Sequence, residues 1–184
     1  MSLLAHGADL RLESERLKPL AGHPVFDIRM GVDAVGSGDT QVQPYFCGEV
    51  APLSVVSIEA CGNGSGILHR TDGPDVAHFR MRTSLMNRQR GKLGTMVMLG
   101  LGLTEVQRSL DEPGFRFGQA GEGQVEASGP EASVGVKARY WVSGQSYLIG
   151  DLTAGSGYVV GAPTVMGWSS PVVPFASFTV GMGL

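Results

Sequence analysis

Eleven ionisable residues sit at alternating positions inside otherwise apolar segments, and any chemistry in this chain would start there. Asp27, Arg29 and Asp33 punctuate "FDIRMGVDAV"; His78, Arg80 and Arg82 punctuate "AHFRMRTSL"; Lys137 and Arg139 punctuate "VGVKARYWV". Glu49, Glu59 and Asp151 occupy equivalent places in three further segments. A spacing of two puts such residues on one face of a β-strand. Without His78 the set is five acids (Asp27, Asp33, Glu49, Glu59, Asp151) and five bases (Arg29, Arg80, Arg82, Lys137, Arg139). Gathered in one interior, they form either a proton or ion path or a salt-bridge network that fills the space. The balance favours the network, because an unpaired buried charge is very costly. The residues between the charges are mostly Gly, Ser and Thr, which suits a crowded lumen better than a solvated face.

Other chemistries fit the sequence less well. His78 has no metal-binding partner in view, since His6, His23 and His69 lie in the tail, at a strand start and in a loop, so no metal or cofactor is expected. "GNGSG" and "LGLGL" are glycine-rich, but neither follows a strand and opens a helix, as a phosphate loop must. No His and Ser alternate on the apolar face, and Ser54, Ser57 and Ser84 read as structural. No catalytic residues are expected. With a net charge of -3, no block of like charge and no basic patch, nothing points to nucleic acid.

The elements that must carry these residues are strands. Eight are expected, at roughly 23–36, 43–51, 55–64, 76–87, 93–107, 131–142, 146–160 and 172–184, after an N-terminal tail at 1–22. The polar-face residues oppose apolar ones: Phe26, Ile28 and Met30 in the first strand, Phe79 and Met81 in the fourth, Leu99 and Leu101 in the fifth. Val136 and Tyr140 do the same in the sixth, and Phe178, Val180, Met182 and Leu184 in the last. No run approaches eighteen apolar residues, so no transmembrane helix is expected; barrel strands need only about 9–11 residues. The connections alternate in length. Those at 37–42, 65–75, 108–130 and 161–171 are longer, and those at 52–54, 88–92 and 143–145 are tight. In an up-and-down barrel this puts every long loop at one rim and every tight turn at the other, with both termini.

Register gives sharper expectations. A turn centred on Gly144 sets Lys137 opposite Asp151. A turn centred on Ser54 makes Cys47 and Cys61 cross-strand neighbours and sets Glu49 against Glu59, which is unfavourable unless an arginine intervenes; one centred on Leu53 sets Cys47 against Glu59. Free thiols are slightly favoured. Aromatics near strand ends (Phe26, Tyr45, Phe46, Tyr140, Trp141, Tyr158, Phe175) suit an interfacial girdle, although Trp141 falls on the polar face.

The terminal "FASFTVGMGL" and the hairpin "VGVKARYWVSGQSYLIGDLTAG" resemble the small eight-stranded outer-membrane β-barrels of Gram-negative bacteria, over roughly residues 23–184. The terminal stretch is similar to the assembly signal of such barrels, though that signal normally ends in an aromatic and this one ends in Leu184. The resemblance implies an all-β, eight-stranded antiparallel up-and-down transmembrane barrel in the outer membrane, with the tail on the periplasmic side. Phe26, Ile28, Met30, Phe79, Met81, Leu99, Leu101, Val136, Tyr140, Phe178, Val180, Met182 and Leu184 would then face lipid. The chain would be a non-enzymatic anchor or surface-interaction module, meeting a protein partner through loops 65–75, 108–130 or 161–171 or through the tail. "MSLLAHGADLRLES" is not an intact signal peptide, and the outer-membrane reading presumes that segment absent here.

Two other readings stay open on sequence alone, because alternation does not say which face points inward. A soluble lipocalin-like barrel would line an apolar ligand cavity with Phe26, Met30, Phe79, Met81, Leu99 and Val136. A lipid-modifying enzyme of the outer membrane is the third.

Overall fold

The chain closes on itself. The computed structural model describes residues 25–36, 40–63, 74–108 and 126–184. The expected tail at 1–22 and most of loops 65–75 and 108–130 lie outside the described residues. Eight strands follow one another around a closed barrel: β1 Val25–Val35, β2 Gln41–Leu53, β3 Val56–Gly62, β4 Pro74–Arg90, β5 Leu93–Arg108, β6 Glu126–Trp141, β7 Tyr147–Tyr158 and β8 Val172–Gly183. Every neighbour is antiparallel, and β1 pairs with β8 from Asp27↔Gly183 to Val35↔Phe175. No described helix is long and apolar enough to cross a membrane, which says nothing of strands.

Strand identity and order agree with the sequence reading; some boundaries do not. β6 starts at Glu126, not 131, because Gly129 and Pro130 continue the ladder opposite Thr104 and Leu103 instead of breaking it. β4 runs on through the polar residues Asn87–Arg90, so the β4–β5 hairpin ends at Arg90↔Leu93. A bulge at Leu85 shifts its register between Ser84 and Met86.

The connection 161–171, expected as a plain loop, contains a short helix, α1 (Ala162–Met166). Pro163 sits in its first turn, where a missing N–H is harmless. Gly167 ends it in the left-handed region (φ 71°), donating its N–H to the Pro163 carbonyl. Ala162, Val165 and Trp168 pack with Val35, Val76, Val106, Val159, Val173 and Phe175, the inward side chains at the loop end of the barrel.

Candidate functional site in the barrel interior

The faces are inverted relative to a soluble barrel. Asp27, Arg29, Asp33, Glu49, Glu59, His78, Arg80, Arg82, Lys137 and Asp151 are all buried. Phe26, Ile28, Met30, Met81, Leu99, Leu101, Val136, Tyr140, Phe178, Val180, Met182 and Leu184 are all exposed on the outer wall, and Phe79 is half-buried there. The lipocalin-like reading is therefore corrected. Phe26, Met30, Phe79, Met81, Leu99 and Val136 line no cavity, because closure turns their face outward and encloses the charges.

Arg29 is the hub of the middle layer. Its guanidinium donates to Asp27 (2.8 Å) and Glu49 (2.7 Å), contacts Glu59, and lies 3.2 Å from Asp151. Arg82 reinforces it from β4, donating to Glu59 (2.7 Å), Asp151 (2.8 Å) and the Thr153 hydroxyl (3.2 Å). Lys137 is opposite Asp151 in the β6–β7 register, the alignment a Gly144-centred turn produces. Its ammonium nevertheless sits on Glu49, across the lumen, and stays 3.9 Å from Asp151. A cross-strand partner is set by local register, but a long flexible side chain takes whichever carboxylate the enclosed space brings nearest.

A second layer lies toward the loop end. Arg80 is 3.0 Å from Glu59 and 3.2 Å from Glu131, and donates to the Tyr45 hydroxyl at 2.9 Å. His78 is bracketed: Nδ1 meets Glu131 at 2.5 Å and Nε2 faces Asp33 at 3.7 Å. Thr104 donates to the same Glu131 oxygen at 2.5 Å. Two carboxylates on opposite ring nitrogens position an imidazole; they do not form a chelate. Phe175 packs at a tilt against His78 (4.3 Å between ring centres) and lies under Arg80 (5.1 Å).

Several interior residues escaped the sequence reading. Glu131 opens the sixth strand expected from the sequence and is not among the expected network, yet it shares the phase of Ser133 and Lys137, and it is the acid that answers His78. Tyr45 and Phe175, expected in a girdle, face inward and are buried. Their phase with Cys47 and Ser177 was the available signal. Arg139 is not in the ion-pair network among the described residues. It lies at the turn end, where its guanidinium covers the Tyr147 ring (5.0 Å) and Trp141 packs edge-on against that ring (4.9 Å).

The favoured free thiols are also corrected: Cys47 and Cys61 form a disulfide inside the barrel, 4.1 Å apart at Cα. Over Phe46–Val50 the ladder takes the Ser54-centred register, with Cys47↔Cys61 and Glu49↔Glu59 paired; an irregularity between Val50 and Leu53 then closes the turn at Leu53↔Val56. The objection to it, two facing glutamates, is removed by Arg29 on the neighbouring strand. Cys47, Glu59 and Cys61 cluster closely enough to suggest a metal site, but the bridge withholds both thiolates.

Small residues make the network possible. A methyl group on Gly135 would come 2.7 Å from Arg82 Nη2, and one on Gly183 would fall 2.2 Å from the Tyr147 ring. These positions are empty so that large side chains can cross the lumen.

No protein-family model matches the chain, and neither does any curated protein. Solved structures do match in fold. Neisserial surface protein A (NspA) aligns over 88% of this chain and 96% of its own at 9% identity, with a TM-score of 0.60. The N-terminal β-barrel domain of Pseudomonas aeruginosa OprF (9% identity, 88% and 100% covered) and outer membrane protein OprG of the same organism (12%, 87% and 94%) score lower, at 0.47 and 0.46. The chain has the fold of the small eight-stranded outer-membrane β-barrels.

Proposed function

We propose that this chain is a non-enzymatic barrel of a Gram-negative outer membrane, a rigid anchor that presents its long connections at the cell surface for interaction with a partner. The observation that carries this reading is the inverted polarity: ten charged or titratable groups of the predicted network are enclosed, while an apolar wall faces out. Water would not stabilise such a surface, whereas a bilayer core about 30 Å thick does. The N-terminal tail lies on the periplasmic side in this reading, and loops 65–75, 108–130 and 161–171 on the outer side.

The interior acts as filling and not as a passage. Support comes from the three layers along the axis: α1 and its apolar cluster at the loop end, the ion-pair network in the middle, and Tyr147, Trp141 and Ile149 at the turn end. An eight-stranded barrel is just wide enough for side chains to fill. No catalytic role attaches to Asp27, Glu49, Glu59, Glu131 and Asp151, which are held by the cations of the interior.

The first experiment compares the purified chain with and without detergent. A compact, heat-modifiable species in micelles and aggregation in buffer are expected; a monodisperse soluble monomer would overturn the reading. Planar-bilayer recording then tests the filled interior, and steady ion conductance by the folded barrel would contradict it.

A further inference from the structure

We propose that the tip of the β4–β5 hairpin is a binding site for anionic phospholipid headgroups of the leaflet on the turn side of the barrel. The inference rests on the membrane reading above. Three bases fall within the five residues "RQRGK", and the fold sets them at one tip. Arg88, Arg90 and Lys92 are exposed together at this tip. The other two turns of that end, at 51–55 and 141–147, contain no Asp or Glu. Asp27 and Glu49, the lumen acids toward that end, are buried and already paired with Arg29.

Position argues for lipid over any other anion. The bulge at Leu85 resets the phase of β4, so that Met86 pairs with Val97, Arg88 with Thr95 and Arg90 with Leu93. Cross-strand partners share a face, and Leu93 and Val97 lie on the outer face of β5. Descending the outer wall of β4, the residues are therefore Met81, Thr83, Met86, Arg88 and Arg90, with Leu85 exposed at the bulge: the column turns basic without leaving its face. Without the bulge, both arginines would point toward the lumen. Leu93 in turn pairs with Tyr140 on β6, so Arg90, Leu93 and Tyr140 form one outward row. A basic residue, an apolar residue and a tyrosine at one level are what the boundary between hydrocarbon and headgroups requires.

The hairpin also projects beyond its neighbour. β3 accompanies β4 only to Val56↔Thr83, with one more hydrogen bond from Ser84 N–H to the Val55 carbonyl. Leu85–Arg90 has no described strand on that side, so the two guanidinium groups are open to approach from the bilayer. Guanidinium matches a phosphate diester with paired N–H donors, and Lys92 adds a point charge.

The test uses the full chain reconstituted in phosphatidylcholine vesicles, with spin-labelled phosphatidylglycerol and spin-labelled phosphatidylcholine as probes. Heat-modifiability is checked on the same samples. The wild type should immobilise phosphatidylglycerol in preference to phosphatidylcholine, and the preference should weaken with salt. Each base removed should lower it on the order of five-fold at most, as expected for one cation near an anionic surface. R88Q/R90Q/K92Q should abolish it, and R88K/R90K should keep much of it. At constant ionic strength inorganic phosphate should displace the lipid no more than chloride does, which separates a headgroup site from a free-phosphate site. An inserted wild-type barrel with no preference, a triple variant that keeps the preference, or displacement by phosphate beyond that by chloride overturns the proposal. A chain that fails to insert overturns the membrane reading itself.

Discussion

Glu49 and Glu59 face each other across β2 and β3, and the Arg29 guanidinium from β1 touches both. Two like charges in direct register would ordinarily push a hairpin apart. Here they form an anionic seat for Arg29, shared with Arg82 and Lys137. Repulsion between neighbours becomes attraction through a third strand, which ties β1, β2, β3, β4 and β6 into one cooperative interior.

Removing the hub should be severe. Arg29→Ala leaves Glu49 and Glu59 facing with less compensation, and breaking a buried pair costs about 3–5 kcal/mol. Denaturant unfolding in micelles should show a much lower midpoint. Arg29→Gln combined with Glu59→Gln should recover part of the loss, and additive losses would contradict the shared seat.

Lys137 should couple to Glu49 more strongly than to Asp151, despite its register. A double-mutant cycle of Lys137→Met with Glu49→Gln should give the larger interaction energy, within the ordinary range of about 0.5–3 kcal/mol for contacting residues. The reverse order would show that register, and not the lumen, chooses the partner.

The bridge between Cys47 and Cys61 closes a short loop, with a sequence separation of 14. Constraining a loop of that size stabilises by about 3 kcal/mol in the chain-entropy model. Cys47→Ser/Cys61→Ser should still fold into a heat-modifiable barrel with a lower unfolding midpoint. Mass spectrometry of the unreduced wild type should show no free thiol.

Gly135→Ala should destabilise the barrel although it adds one methyl group. That carbon would crowd Arg82 and Thr153, each 2.7 Å away, and overpacking typically costs about 1–3 kcal/mol. Gly150→Ala, where the added carbon meets nothing within 4 Å, is the control and should be nearly neutral.

A charge on the outer wall distinguishes a bilayer from water. Leu99→Arg should impair folding into vesicles by about 2–4 kcal/mol if that position lies near mid-bilayer. Equal folding yields for variant and wild type in vesicles would count against a lipid-facing wall.

Much of this fold is legible in the chain. Period-two alternation is a local property, and it identified eight strands, their order and the split of Arg29 from Ile28 or Lys137 from Val136 into opposite faces. Tight turns carry their own chemistry, so Lys137 opposite Asp151 followed from Gly144. Charge balance points to an enclosed network without naming any pair. What the sequence left open depends on closure. Alternation is symmetric between inside and outside, and only the closed barrel shows that Asp27 is enclosed and Phe26 is not. The choice between two turn centres one residue apart, and so two registers two residues apart, decides whether Cys47 meets Cys61, and Arg29 on a different strand makes the observed one tolerable. The pairs Lys137–Glu49 and His78–Glu131 join residues far apart in the chain, which no spacing rule relates. α1 escaped because five residues carry too little periodicity, and its apolar side has meaning only beside the ring of valines that the barrel brings together. The basic run "RQRGK" is legible in the chain, but its direction is not: a one-residue bulge at Leu85 decides which way Arg88 and Arg90 face.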